Sequence, residues 1–190
     1  MRHIRTLTFG LLLVLFLAQA GFAQGGKVVQ GKYFDVYYDG CDLTEVAQKL
    51  AAKYFLHIDV FSENSSSSNI QSIIAQLFDS IYLEVSDILD IHMYSFKGVI
   101  CIMPNKADVK DLLAEYMTDP PDVPAFYFHE RNTVYVSLAD MNLGILSHEI
   151  AHAIIARYFV VLPPAKVQEV LAGYVEYSIR KATGTMPLGR

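Results

Sequence analysis

The stretch from Asn142 to Phe159 reads NLGILSHEIAHAIIARYF, and it is the most informative segment of the sequence for both fold and function. Its residues are apolar on all sides of a helix, which is typical of a helix buried in the protein interior. We expect a helix over this range, with Asp140 as its N-cap. Three ionisable residues, His148, Glu149 and His152, stand in its middle. Burying an unpaired polar group costs on the order of 2–7 kcal/mol, so these side chains need partners.

The spacing of the two histidines indicates a metal site. His148 and His152 are four residues apart, so on a helix they lie one above the other and can bind one zinc ion together. Glu149 points about 100° round the helix, where it can accept a proton from a metal-bound water without binding the metal. The alternative is a pair of core histidines whose ring nitrogens are satisfied by neighbouring side chains.

A second helix, predicted from Val167 to about Lys181, carries further acidic residues. It follows Pro163-Pro164, and proline is favoured in the first turn of a helix. Glu169 and Glu176 are seven residues apart and therefore lie on one face of this helix. Because a catalytic zinc needs a third protein ligand and one open position, this helix is where that ligand is expected.

About a quarter of the chain, from Thr133 to Arg180, resembles the gluzincin metallopeptidases, the thermolysin and aminopeptidase-N-like group. The resemblance rests on two motifs, H-E-x-x-H at 148–152 and E-x-x-A-x-x-x-E at 169–176. It implies a zincin-like fold in which Glu169 is the third zinc ligand and Glu176 lies behind the ligands or pairs with Arg180. The Gly-x-Met-Glu-Asn segment that reads a substrate amino terminus is absent, so aminopeptidase activity is not expected.

The same resemblance gives a role to two further features. The strand from Thr133 to Ser137, just before the metal helix, would be the sheet edge along which an extended substrate lies. The alternative is a central strand. The oxyanion formed during hydrolysis needs a hydrogen-bond donor, and Tyr174 is preferred for this role over Tyr177 and His129.

Residues 1–23 have the layout of a secretory signal peptide, with a basic start and a long apolar run that ends in small residues. We expect cleavage after Ala23, export to the periplasm or the extracellular space, and one domain over 24–190. The alternative is an uncleaved membrane anchor. Without Arg2 and Arg5, the remaining chain has 13 Lys and Arg against 20 Asp and Glu. This acidic balance argues against nucleic acid as a partner.

The order of the remaining patterns predicts an α+β protein with a small mixed or antiparallel sheet. Two cysteines, Cys41 and Cys101, are present. Export allows a disulfide between them, but Cys101 lies in a buried-strand pattern, which favours a free thiol. Strands are expected at Tyr33–Tyr38, Lys97–Met103, Ala125–Phe128 and Thr133–Ser137, the last two as a hairpin, and helices at Leu43–His57, Ile70–Leu89 and Asp108–Met117.

Three functions follow from these patterns. The first is a secreted zinc peptidase that hydrolyses peptide bonds through a metal-bound water, with Glu149 as the general base. The second is an inactive domain of the same fold that binds peptides or proteins without cutting them. The third is a metal-free packing helix. A peptide or protein is the expected partner in the first two cases.

Overall fold

A computed structural model describes residues 26–50 and 67–186 of the 190-residue chain. These residues form an α+β fold with one mixed sheet and five α-helices, so the predicted class is confirmed. The predicted signal peptide, residues 1–23, lies outside the described residues, as does the predicted helix beyond Leu50. None of the described helices combines the length and hydrophobicity that crossing a bilayer requires.

The sheet has five strands in the order β1-β2-β3-β5-β4. The three central strands are parallel to one another, and the two outer strands pair antiparallel with their neighbours. The strands are β1 Val28–Gln30, β2 Phe34–Tyr37, β3 Gly98–Met103, β4 Ala125–Phe128 and β5 Thr133–Ser137.

Strand β5 is not the sheet edge, so that prediction was wrong. It lies between β3 and β4, and all five of its residues are buried. A strand covered on both faces is typically rich in β-branched and aromatic residues, as Thr133–Ser137 is. The predicted hairpin with β4 is confirmed, and β4 is therefore the edge strand on this side.

Helices cover both faces of the sheet. Alternate residues of β3 show this most clearly, because neighbouring side chains point to opposite faces. Cys101 packs with residues of α3, whereas Ile100 and Ile102 belong to the main core with α2 and α4. The helices are α1 Leu43–Leu50, α2 Ser67–Leu89, α3 Lys106–Ala114, α4 Leu143–Tyr158 and α5 Ala165–Thr183.

Helix α4 is predicted correctly in extent but not in its N-cap. The N-cap is Asn142 and not Asp140, because the Asn142 side chain accepts a hydrogen bond from the backbone N–H of Ile145. The Asp140 carboxylate instead accepts a hydrogen bond from the hydroxyl of Ser137 at 2.7 Å. Asn142 is the residue directly before the first helical turn, which is where a side chain reaches the free N–H groups.

The two cysteines are both free thiols. Cys101 is buried in β3, and burial raises the pKa of its thiol to about 12. Cys41 is partly buried and its sulfur lies 3.5 Å from the carbonyl oxygen of Ile102. The two side chains pack against different clusters on the sheet, which accounts for the absence of a bond between them.

Candidate metal centre

Helix α4 places both histidines at the edge of the core. The helix packs against α2, α5, β4 and β5, and most of its apolar residues are buried. His148 and His152 are only partly buried, with 21 % and 13 % of their side chains exposed. Their Nε2 atoms are 3.2 Å apart, so both rings are directed to one point.

Helix α5 brings a carboxylate to that same point. One oxygen of Glu169 lies 3.5 Å from Nε2 of His148, and the other lies 3.4 Å from Nε2 of His152. The ligand atoms of the three residues all lie within 4.8 Å of one another. Within ranges 26–50 and 67–186, this is the one group of three or more His, Cys, Asp or Glu side chains that converge in this way.

The spacing of these atoms is compatible with a zinc site. Ligands at roughly 2.0–2.1 Å from a tetrahedral zinc are separated from one another by about 3.3–3.4 Å. The two Nε2 atoms are 3.2 Å apart, and they lie 3.5 and 3.4 Å from different oxygens of Glu169, so a small rotation of the carboxylate would bring one oxygen close to both rings. Two imidazoles and a carboxylate are also the donor set of many catalytic zinc sites. The side chain of Glu169 is 64 % exposed, which leaves the outer side of the site open.

A second acidic residue of α5, Glu176, lies on the Nδ1 side of the His148 ring. Oε2 of Glu176 is 3.2 Å from Nδ1 of His148, although the contact is too oblique to count as a hydrogen bond. Its other oxygen accepts a 2.8 Å hydrogen bond from Nε of Arg180. A carboxylate at Nδ1 favours the tautomer that leaves Nε2 free for a metal.

Gly144 in the first turn of α4 makes room for this arrangement. A Cβ atom at Gly144 would lie 2.6 Å from Nε and 2.9 Å from Cζ of Arg180. Real Cβ atoms do not approach other atoms so closely, so any other residue at this position would displace the guanidinium group. The glycine therefore lets Arg180 reach Glu176 against the side of α4.

Glu149 occupies a different position from the ligands. Its Oε2 accepts a 2.8 Å hydrogen bond from the backbone N–H of Tyr127 in the edge strand β4. Burial raises the pKa of Glu149 to about 7, against the opposing effects of nearby His148 and of the Tyr127 N–H. Burial, together with His148, lowers the pKa of His152, which keeps that imidazole neutral and able to bind a metal.

The hairpin that carries Tyr127 is itself fixed by hydrogen bonds. The Tyr127 hydroxyl donates to Oδ1 of Asn132 at 3.1 Å, and the Asn132 amide donates to the carbonyl of Lys97 at 2.8 Å. Asn132 has a left-handed backbone, with φ of 48°, and ends the short turn between β4 and β5. The backbone N–H of Tyr127 that binds Glu149 is therefore held in position by the hydrogen bonds of the hairpin.

The candidate site opens into a cleft of about 590 Å³ between α4, the start of α5, and the edge strand β4. Both histidines, Glu149 and Glu169 face it. The rest of the lining is mostly apolar and comes from the loop before β4, from β4 and the turn after it, and from the start of α5. These residues are Pro121, Val123, Ala125, Phe126, Tyr127, His129, Ala156, Leu162, Ala165 and Gln168.

The sequence-predicted residues do not all meet in this cleft. His148, Glu149, His152 and Glu169 do, whereas Tyr174 does not line it and has 57 % of its surface exposed. Tyr174 is five positions after Glu169, so it lies about 140° round the helix from the ligand. No protein-family model, no curated protein and no solved structure matches this chain.

Two contributors to the site were not predicted from the sequence. The N–H of Tyr127 is a backbone group, and which N–H of a strand faces outward depends on the pairing register rather than on residue type. Gly144 gives no signal by itself, because a glycine inside an apolar helix is compatible with many environments. Its link to Arg180 becomes visible only when α4 and α5 are packed together.

Proposed function

We propose that this protein is an exported zinc-dependent peptidase with a zincin-like fold, similar in its site to the gluzincins. The observation that supports this most is the convergence of His148, His152 and Glu169, whose ligand atoms all lie within 4.8 Å of one another. A carboxylate that is not part of this group, Glu149, faces the same cleft. The proposal that the protein is exported rests on the pattern of residues 1–23.

In this proposal, Nε2 of His148, Nε2 of His152 and a carboxylate oxygen of Glu169 would hold the zinc ion. Bound zinc supplies Lewis acidity, which polarises a substrate carbonyl and lowers the pKa of water toward ~7. Glu176 keeps the His148 ring oriented through Nδ1, and Arg180 holds Glu176 in turn. The exposed side of Glu169 leaves the cleft accessible to a polypeptide.

Glu149 moves the proton during hydrolysis. The N–H of Tyr127 holds Oε2, which leaves Oε1 to take a proton from the attacking water. The water oxygen forms a bond to the carbonyl carbon, the carbon–nitrogen bond breaks, and Glu149 delivers the proton to the departing amine. Because burial raises the pKa of Glu149 to about 7, its carboxyl group can accept and release this proton near neutral pH.

The edge strand β4 gives the substrate a place to bind. An exposed strand edge can pair with an extended peptide through backbone hydrogen bonds, and β4 lines the cleft beside Glu149. The apolar lining favours apolar side chains next to the bond that is cut. His129 lines the cleft directly after β4, so in this proposal it replaces Tyr174 as the donor to the oxyanion.

Replacement of Glu149 by Gln tests the proposal. The amide cannot accept the proton, so we expect cleavage of unfolded proteins and peptide libraries to fall by about 10²- to 10⁴-fold. Zinc content should stay the same, because Glu149 is not a ligand. Glu130→Gln is the matched control, since Glu130 is an exposed acid in the turn after β4 and does not line the cleft.

Two results would count against this function. Cleavage that survives Glu149→Gln would rule out Glu149 as the general base. Stoichiometric zinc without turnover on any library would instead favour a peptide-binding domain that keeps the metal and does not cut.

A further inference from the structure

The end of α4 and the connection to α5 expose a run of large apolar side chains. This apolar tip, Tyr158–Leu162, reads Tyr-Phe-Val-Val-Leu. Val160 is fully exposed, Val161 is 82 % exposed, and the other three residues are each exposed by more than a third. Contiguous apolar surface of this kind marks a site of interaction with another molecule or with a membrane.

A line of exposed apolar residues continues from the tip along α5. Val167, Val170, Tyr174 and Tyr177 are spaced by three, four and three residues, so they share one face of the helix. Each is 45–65 % exposed. Because α5 begins at Ala165, only three residues after Leu162, this apolar stripe starts beside the tip.

The charges around this surface differ from those of the whole chain. Residues 157–168 contain Arg157 and Lys166 and no acidic residue, whereas the chain carries a net charge of −5. Glu169 follows directly, but it lines the cleft as a candidate zinc ligand. At the far end of the stripe, the Lys181 ammonium lies 6.0 Å from the centre of the Tyr177 ring. An exposed apolar surface with cations beside it is complementary to a negatively charged lipid headgroup layer.

We propose that the apolar tip and the stripe dock this protein onto an anionic lipid surface. Val160 and Val161 enter the boundary between headgroups and acyl chains, the tyrosines lie at headgroup level, and Arg157 and Lys166 face lipid phosphates. Lipid is favoured over a polypeptide partner because the fully exposed Val160 is flanked along the chain by Arg157 and Lys166, the combination that suits an anionic headgroup layer.

Docking has a consequence for the cleft. Leu162 belongs to the apolar tip and also lines the cleft beside the candidate metal centre. A protein held by its tip would therefore have its cleft close to the lipid surface, where polypeptide segments at the membrane are within reach. This inference goes beyond peptidase activity and stands or falls independently of it.

Sedimentation with lipid vesicles tests the inference. The exported protein, with its N-terminus checked by mass spectrometry, is mixed with vesicles of phosphatidylcholine and phosphatidylglycerol, and with neutral phosphatidylcholine vesicles. We expect binding to the anionic vesicles and weaker binding to the neutral ones. Val160→Asp should weaken the partition to anionic vesicles about 10-fold or more, since a charge replaces the most exposed apolar side chain.

Two further variants separate lipid docking from a general effect of surface charge. Tyr94→Asp adds the same charge at a residue that is 97 % exposed but lies elsewhere, and it should leave binding unchanged. Arg157→Gln combined with Lys166→Gln should reduce partition to anionic vesicles by about 10- to 30-fold, because each cation near the surface contributes about 1 kcal/mol. Any contribution of the N-terminus is common to all these proteins.

Three outcomes would overturn the inference. The first is no partition of the wild-type protein into anionic vesicles, or equal partition of Val160→Asp. The second is a wild-type protein that self-associates without lipid and becomes monomeric in Val160→Asp, which would mean that a second copy covers the tip. The third is a Val160→Asp variant that binds apolar peptides more weakly in the absence of lipid while its vesicle binding is unchanged.

Discussion

Glu176 lies beside the His148 ring on the side away from Glu169, where we propose that it orients the imidazole. Its carboxylate contacts Nδ1 at 3.2 Å, and Arg180 holds its other oxygen. Removing such an outer partner of a metal-ligating histidine typically costs 10- to 100-fold in metal affinity. We therefore expect Glu176→Gln to weaken zinc binding by about 10- to 100-fold, measured by competition with a chromophoric chelator.

The matched control for this variant is Glu115→Gln at the end of α3. Glu115 is an exposed acid outside the site, so the substitution changes the net charge equally and should leave zinc affinity unchanged. If Glu176→Gln and Glu115→Gln bind zinc equally well, the carboxylate behind His148 has no role in the site.

At the scale of single residues, the sequence was informative where chemistry depends on helical spacing. His148, His152 and Glu169 lie together, as the i, i+4 spacing suggested for the histidines and the resemblance to the gluzincins implied for Glu169. Tyr174 was chosen for its residue type alone, and its angle round α5 from Glu169 places it away from the cleft. The contact of Glu149 with a backbone N–H had no signal in the sequence, because it depends on how β4 pairs with β5.

The packing of α4 against α5 depends on a glycine at the contact. In Gly144→Ala the new Cβ would displace Arg180 and break its bond to Glu176. Losing a hydrogen bond between charged groups costs about 1.5–3 kcal/mol. Replacing glycine by alanine inside a helix stabilises the helix by about 0.8–1 kcal/mol, which offsets part of that cost. We expect a net loss of about 1 kcal/mol in the free energy of unfolding, together with weaker zinc binding.

Gly173→Ala in α5 is the control for this variant. A Cβ at Gly173 would have no atom within 4 Å, so this substitution should raise the free energy of unfolding by about 0.4–1 kcal/mol. Its zinc affinity should equal that of the wild type. Denaturant unfolding measures the stability of both variants, and chelator competition measures their zinc affinity. A Gly144→Ala variant that binds zinc as tightly as the wild type would contradict the proposed link through Arg180.

The start of α4 gives a second prediction for an element. Asn142→Ala removes the side chain that caps the Ile145 N–H and should lower the free energy of unfolding by about 1 kcal/mol. Asp111→Ala serves as the comparison because Asp111 is an exposed acid of α3, outside α4. Thermal unfolding of the two variants at the same pH measures the difference, and equal stability would argue against Asn142 as the cap.

Elements with a strong periodic pattern were predicted well, and the pairing between them was not. The ranges of α4 and of the β4–β5 hairpin agree closely with the sequence pattern, since both are set by local residues. The edge position assigned to β5 was wrong, because β4 pairs on its outer side and all five of its residues are buried. Strand β1 has only three residues and gives too short a pattern to be recognised.

For the whole molecule, metal binding and folding are linked if the proposal holds. The three candidate ligands come from two helices, α4 and α5, and an unfolded chain does not bring them together. Free zinc at about 100 times its dissociation constant would then stabilise the protein by ~2.7 kcal/mol. For a domain of this size, that raises the melting temperature by about 5–10 °C.

Chelation gives the reverse experiment. The melting temperature should fall in the presence of EDTA and recover when zinc is added in excess. His148→Ala should show neither change, because the site has lost one of its ligands. A zinc-dependent shift of equal size in His148→Ala would mean that the ion binds elsewhere.

The α+β class followed from the order of strand and helix patterns along the chain. The strand order β1-β2-β3-β5-β4 did not follow, because pairing between distant segments depends on packing rather than on local pattern. The cleft is likewise a property of the assembled molecule, since α4, α5 and β4 each contribute one side of it.

Zinc content per chain, measured by elemental analysis after dialysis against trace zinc, is the decisive test of the metal site. We expect about one zinc ion per chain in the wild type and in Glu149→Gln, and close to none in His148→Ala. A wild-type protein without zinc, or a His148→Ala variant with as much zinc as the wild type, would contradict the proposed site.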